Sequence, residues 1–244
     1  MAKEIMLIGA TSDVAQAMAQ LIDDPTTKIW LVSRNVKRLE PLKTHLEITK
    51  AISVELIESD VCAFEKNIDL FKSIAPKIDE IYFFAGYLGT QEKAEKETAE
   101  TLKIINTNFT GAVLILNIFA EVFAKRKSGT IVGISSVAGD RGRSSNYIYG
   151  SAKAGFSAYL DGMRQRLAKV GVHVMTVKPG FMSTRMTKDL DLPKAITASP
   201  DKAASVIFTA AKKKKNTVYV TTIWRFIMFI IRNIPEFIFK RISI

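Results

Sequence analysis

The sequence predicts a doubly wound parallel α/β sheet folded as one domain. Three observations predict it. Short apolar runs alternate with segments of helical spacing along most of the chain. No Gly/Ser-rich or Pro-rich linker and no internal repeat interrupts that alternation before about residue 210. Small or polar residues stand at the ends of the apolar runs: Gly9, Arg34, Asp60, Ala85-Gly86, Ser136 and Pro179-Gly180. These are the carboxyl ends of the strands, where such sheets bind ligands. A chain of 244 residues, 48% hydrophobic, is long enough to bury one large core.

The elements follow in order. Glu4–Ile8 reads as a buried strand stopped by Gly9, and the apolar spacing of Val14, Ala17, Met18, Leu21 and Ile22 predicts a helix that ends at Asp23-Asp24-Pro25. Lys28–Val32 is a second strand, followed by a helix through Leu39, Leu42 and Leu46. A third strand spans Ala51–Ile57, a helix Phe64–Ala75, and a fourth strand Glu80–Phe84. Glu92–Glu121 reads as one long helical stretch, polar at first and apolar from Leu102. A fifth strand at Gly129–Ile134, a helix at Tyr147–Lys169 and a sixth strand at Val172–Val177 complete the series. Residues 1–215 are the predicted dinucleotide-binding catalytic domain, with 216–244 as an extension of the same domain.

Net charge is +11, and it is concentrated near the end. From Lys212 onward Lys212, Lys213, Lys214, Lys215, Arg225, Arg232, Lys240 and Arg241 face a single acid, Glu236. Trp, Phe, Ile and Met lie among these charges, a mixture that suits anionic lipid better than nucleic acid. The single cysteine, Cys62, excludes an internal disulfide and a cysteine-based zinc site, and the distant His45 and His173 argue against a catalytic metal. Met1-Ala2-Lys3-Glu4 leads straight into a strand without the features of a signal peptide, so a cytoplasmic protein is expected.

The first strand, turn and helix suit a pyrophosphate. Gly9, Thr11, Ser12, Asp13 and Val14 form the turn, where a helix N-terminus offers N–H groups and partial positive charge. An ordinary βα loop is the alternative, because Gly9 is the only glycine there. An acid at the end of the second strand would bind the ribose of NAD. Ser33-Arg34 stands there instead, which suits a 2′-phosphate and favours NADP(H) over NAD(H). Asp60 and Val61 follow strand three, where Asp60 is placed to accept from the adenine amino group.

The chemistry is expected at Ser136, Tyr149 and Lys153. Tyr149 and Lys153 are four apart and share a helix face. A lysine beside a phenol favours the phenolate and lowers its pKa, making Tyr149 a general acid or base. Ser136, at a strand end, is placed to bind the oxygen that Tyr149 protonates.

These residues, in this order on these elements, resemble the short-chain dehydrogenase/reductases over nearly the whole chain. The resemblance rests on Asn108 in Asn106-Thr107-Asn108-Phe109-Thr110-Gly111, Ser136 in Ser-Val-Ala-Gly, Tyr-x-x-x-Lys at 149–153, and Pro179-Gly180 with Thr184. It implies a Rossmann-like fold, hydride transfer between a nicotinamide cofactor and a ketone, and a homodimer or homotetramer. It also implies that Asn108 holds a water leading to Lys153, and that Lys153 binds nicotinamide ribose. Two departures stand out. Asp13 and Ala15 replace the second and third turn glycines, and Asp13 either repels the phosphates or caps the helix. Phe83-Phe84-Ala85-Gly86 replaces Asn-Asn-Ala-Gly, keeping the turn but losing asparagine contacts.

Within that family, Gly139-Asp140-Arg141-Gly142-Arg143 and the ending Ile231–Lys240 are similar to reductases of a 2-keto sugar on a polyprenyl phosphate. That likeness implies a lipid-linked sugar substrate and a separate oxidase that makes the ketone. Arg141 and Arg143 are then expected to meet a substrate phosphate; a solvated loop is the alternative. A reductase of another ketone, of 3-ketoacyl or polyketide type, and a non-catalytic nucleotide-binding scaffold are the competing functions. Ile223–Ile231 is too short to span a bilayer, which takes about 20 apolar residues. Residues 223–244 read as a peripheral membrane anchor or an oligomer interface.

Overall fold

The computed structural model describes residues 3–188 and 191–242; Met1-Ala2, Asp189-Leu190 and the last two residues of the 223–244 segment lie outside them. Seven parallel strands form one sheet in the order β3-β2-β1-β4-β5-β6-β7. In chain order the elements are β1 (Glu4–Ile8), α1 (Asp13–Gln20), β2 (Lys28–Ser33), α2 (Glu40–Lys50), β3 (Ser53–Glu58) and α3 (Phe64–Ile74). Then come β4 (Glu80–Phe83), α4 (Gln91–Ala94), α5 (Thr98–Ile105), α6 (Gly111–Arg126), β5 (Thr130–Ile134) and α7 (Tyr147–Ala168). The chain continues through β6 (His173–Lys178), α8 (Pro200–Lys212), β7 (Thr217–Tyr219), α9 (Thr222–Asn233) and α10 (Glu236–Phe239).

The period-2 alternation of the strands divides the core in two. Ile5 and Leu7 of β1 face α1, α2 and α8; Met6 and Ile8 face α3, α6 and α7. Both faces of the sheet are therefore covered, which is why its strands read as unbroken apolar runs. Burial of Met6, Leu7, Ile8, Ile29 and Leu31 is complete or nearly so. The chain reverses direction across the sheet between β1 and β4, opening a crevice at the strand ends.

Three features depart from expectation. The stretch 92–121 is not one helix: it breaks after α4, and α5 runs into α6 through a π turn at Asn106–Thr110. A π turn adds one residue to a helical turn without disturbing the apolar spacing on either side, so periodicity does not reveal it. By length and composition 98–126 is apolar enough to cross a membrane. Here Ile115, Leu116, Phe119 and Phe123 are buried in the core against α3 and α7. Lastly, 216–244 contributes β7 to the sheet before α9 packs back on the body through Trp224 and Met228, against Val137.

Candidate active site

Gly9 begins the site. Its φ of +79° is one that residues with a side chain rarely adopt, and a Cβ there would lie 2.5 Å from the Ala85 nitrogen. The turn after β1 is thereby pressed against the turn after β4. Ser12 precedes α1 but makes no side-chain cap, leaving the first-turn N–H groups without that partner. A cavity of about 670 Å³ opens over these turns. It is lined by Gly9, Thr11, Ser12, Asp13, Val14, Ser33, Arg34, Asp60, Val61, Ala85, Gly86, Ser136, Tyr149, Lys153, Pro179, Gly180 and Thr184, all expected from sequence.

Lys153 is 4% exposed, and its ammonium donates to the Ile134 carbonyl at 3.0 Å. Asn108, projecting from the π turn, is fully buried behind Gly86. A Cβ on Gly86 would lie 3.2 Å from Asn108 Oδ1 and 3.6 Å from Lys153 Nζ, so the three converge. Asn108 Nδ2 donates to the Tyr87 and Ile104 carbonyls at 2.6 and 2.8 Å, which fixes the side chain in place. The Ser136 hydroxyl accepts from Ala138 N at 3.1 Å and hydrogen-bonds to Tyr149. Tyr147 instead points outward, donating to Glu95.

The electrostatics of the pair differ from expectation. Burial pushes the Tyr149 phenol up to about 12, opposed only in part by the Ser136 hydrogen bond. Burial also draws Lys153 down to about 7. The lysine lies 5.8 Å from the tyrosine ring centroid and is itself driven towards neutrality, so it does not offset desolvation of the phenolate. Tyr149 keeps part of its surface open to the cavity.

Two further expectations are corrected. Arg141 does not reach the cavity. Its guanidinium donates to the Ile231 and Ile234 carbonyls, at 2.6 Å each, and pairs with Glu236 at 3.0 Å. Those carbonyls lie at the end of α9, where helical partners run out, so the arginine is drawn to them rather than to the pocket. Arg143 does line the cavity: Nη2 donates to the Val137 carbonyl, while its Nε is buried without a partner. Asp13 neither faces the phosphate position alone nor caps α1; both its oxygens accept from Arg185. Asp140, buried between Lys178 and the Tyr219 hydroxyl, anchors the loop that carries Arg143.

Sequence reasoning missed Arg38, Tyr87, Phe181, Met182, Arg185 and Met186 in the cavity wall. The basic Arg38, one turn from Arg34, was the one with a readable signal. The residues present fit a phosphorylated dinucleotide: an uncapped helix start, a tight glycine approach, and Ser33, Arg34 and Arg38 with no acid at the end of β2.

Residues 3–195 match the family described as short chain dehydrogenase. An uncharacterized oxidoreductase of Mycobacterium tuberculosis is 28% identical over 243 residues, covering 98% of this chain and 97% of that protein. The ketoacyl reductase HetN of a Nostoc species is 29% identical over 224 residues, covering 89% and 78%. A short-chain dehydrogenase from Sphingobium yanoikuyae in complex with NADPH superposes with a TM-score of 0.83 at 19% identity, covering 96% and 97%. An NAD+-bound xylitol dehydrogenase superposes at 0.76 and 19% identity, covering 89% and 97%. Family match, relatives and seven-stranded architecture agree: the chain is an oxidoreductase belonging to the short-chain dehydrogenase family.

Proposed function

We propose that the protein is an NADPH-dependent ketone reductase acting on a 2-keto sugar carried by a polyprenyl phosphate. In this it resembles the reductase of decaprenylphosphoryl-ribose 2′-epimerase. The observation that carries the reading is Arg143, a half-buried cation in the wall of the catalytic cavity whose buried Nε has no partner and which pairs with no acid among the described residues. Its charge costs free energy to bury and is recovered when an anion arrives. Burial already lowers its pKa, opposed by nearby Asp140. Phe181, Met182 and Met186 supply an apolar wall for a lipid chain.

Gly9 and the start of α1 would hold the cofactor's pyrophosphate and Ser33, Arg34 and Arg38 its adenosine phosphate, and the cofactor would supply hydride. Ser136 orients the ketone oxygen, and Tyr149, protonated at neutral pH, donates to it. Lys153 would meet the cofactor's ribose hydroxyls. Asn108 holds Tyr87 and Gly86 in place behind them. Such a reductase requires a separate oxidase to make the ketone.

The tail supports a peripheral membrane contact. Phe226, Phe229, Ile230 and Phe237 are 64 to 71% exposed on α9 and α10, among Arg225, Arg232, Lys240 and Arg241. Apolar side chains flanked by cations suit an anionic lipid surface on the cytoplasmic face. Phe226→Ser with Phe229→Ser abolishes binding to phosphatidylglycerol vesicles on this reading. A dimer or tetramer that dissociates instead assigns the face to a second copy.

A 3-ketoacyl reductase is the second reading, favoured by the likeness to HetN. NADPH oxidation with a panel of 2-keto-pentosyl polyprenyl phosphates, 3-ketoacyl thioesters and plain ketones separates the two. Arg143→Gln should raise KM for the phosphorylated lipid about tenfold or more and leave a plain ketone unaffected. Equal effects on both remove the phosphate role.

A further inference from the structure

Asp13 stands in the phosphate turn, 172 positions from Arg185, yet the two are joined by two hydrogen bonds. Arg185 Nε donates to Oδ1 at 2.6 Å, and the Arg185 backbone N–H donates to Oδ2 at 2.8 Å. Nη2 donates to the Thr11 carbonyl of the same turn. Both residues line the cavity, and both are partly exposed, 49% for the arginine side chain and 25% for the aspartate. An ion pair this open contributes little to stability by itself. What it does is aim a guanidinium. Among the described residues no hydrogen bond uses Nη1, and Arg185 is held against the turn whose helix N-terminus carries no side-chain cap.

A dinucleotide pyrophosphate carries negative charge, and a lone carboxylate in that turn would repel it. Arg185 cancels that carboxylate and brings to the same place an N–H edge that donates to no other described residue. We propose that Arg185 is a pyrophosphate-binding residue, and that Asp13 positions it, replacing the backbone approach a glycine would give. The inference rests on the nicotinamide-cofactor reading above.

Equilibrium binding of NADPH, followed by nicotinamide fluorescence, tests it in the wild type, Arg185→Ala, Asp13→Ala and the double variant. Losing a charge-assisted hydrogen bond and leaving Asp13 unpaired should weaken binding about 10- to 100-fold in Arg185→Ala. Removing the orphaned carboxylate as well should restore a substantial part, so the double variant binds about tenfold tighter than Arg185→Ala. Adenosine 2′-monophosphate, which has no pyrophosphate, should bind all four proteins alike. Wild-type affinity in Arg185→Ala overturns the proposal. So does equal loss in the single and double variants, or a parallel loss for the monophosphate, since each makes the pair a loop brace only. A wild type that binds neither NADPH nor NADH overturns the cofactor reading itself.

Discussion

The Arg141 guanidinium lies over the Phe239 ring, 3.6 Å from its centroid, while it also holds the last carbonyls of α9. One side chain from the loop after β5 thus fastens both tail helices to the body. Arg141→Ala should lower stability by about 1–2 kcal/mol, the range for a lost charged hydrogen-bond donor. It should also open Arg225 and Arg232 to trypsin, and leave KM for substrate unchanged. Thermal melting and limited proteolysis check this. Unchanged proteolysis would mean that Trp224 and Met228 alone hold the tail.

Tyr149→Phe should reduce the rate of ketone reduction by about 10²–10⁴, the usual size of a general-acid contribution. NADPH affinity should stay within about twofold, since the ring remains in place. Steady-state rates and fluorescence titration read the two separately. A fully active variant would remove Tyr149 from the chemistry.

Lys153 predicts a pH dependence. Its folded pKa, about 7, lies below the ordinary lysine value of 10.5. Between these values the unfolded chain holds a proton that the folded chain has lost, so stability rises with pH across that window. Below about 7 the full cost of burying the cation is felt. Each unit of displacement is worth about 1.4 kcal/mol. Lys153→Met should flatten the rise, as measured by denaturant unfolding at pH 6.5 to 9.5. A slope shared by both proteins would assign it to other groups. NADPH affinity in the wild type should fall above pH 7, as the charged form that meets the ribose is lost.

Gly180→Ala tests how the tail meets the pocket. A Cβ at Gly180 would stand 1.9 Å from Trp224 Nε1, which donates to the Ile196 carbonyl at 2.9 Å. Trp224 must shift, breaking that bond and its edge contact with Phe181. The expected loss is about 1–3 kcal/mol, the cost of overpacking. Trp224→Leu in the same chain should recover part of it. No loss in the single variant would show that α9 can move away freely.

Much of the site was legible because its signals are local. Tyr149 and Lys153 are one turn apart on α7, and Gly9, Ser136 and Gly180 sit where apolar runs stop. Arg141 and Arg143 were not distinguishable by the same means. They lie in an irregular loop, where no period says which side chain turns inward. The helix ends that attract Arg141 are formed about 90 positions later. The seventh strand is three residues long, too short for alternation to register.

The sequence by itself determined the alternation of strands and helices, the two-sided core and the Ser136, Tyr149 and Lys153 constellation. Those follow from side-chain periodicity and from spacings within one element. Only the tertiary structure decided that Asp13 meets Arg185, that Asn108 projects from a π turn, and that Arg143 rather than Arg141 faces the cavity. It also decided that burial outweighs Lys153 in setting the Tyr149 pKa. Apart from the π turn, which leaves the apolar spacing on either side unchanged, these share one physical reason. Each depends on what lies across a gap of many residues, and both hydrogen-bond partners and desolvation are properties of that surrounding, not of the chain's local order.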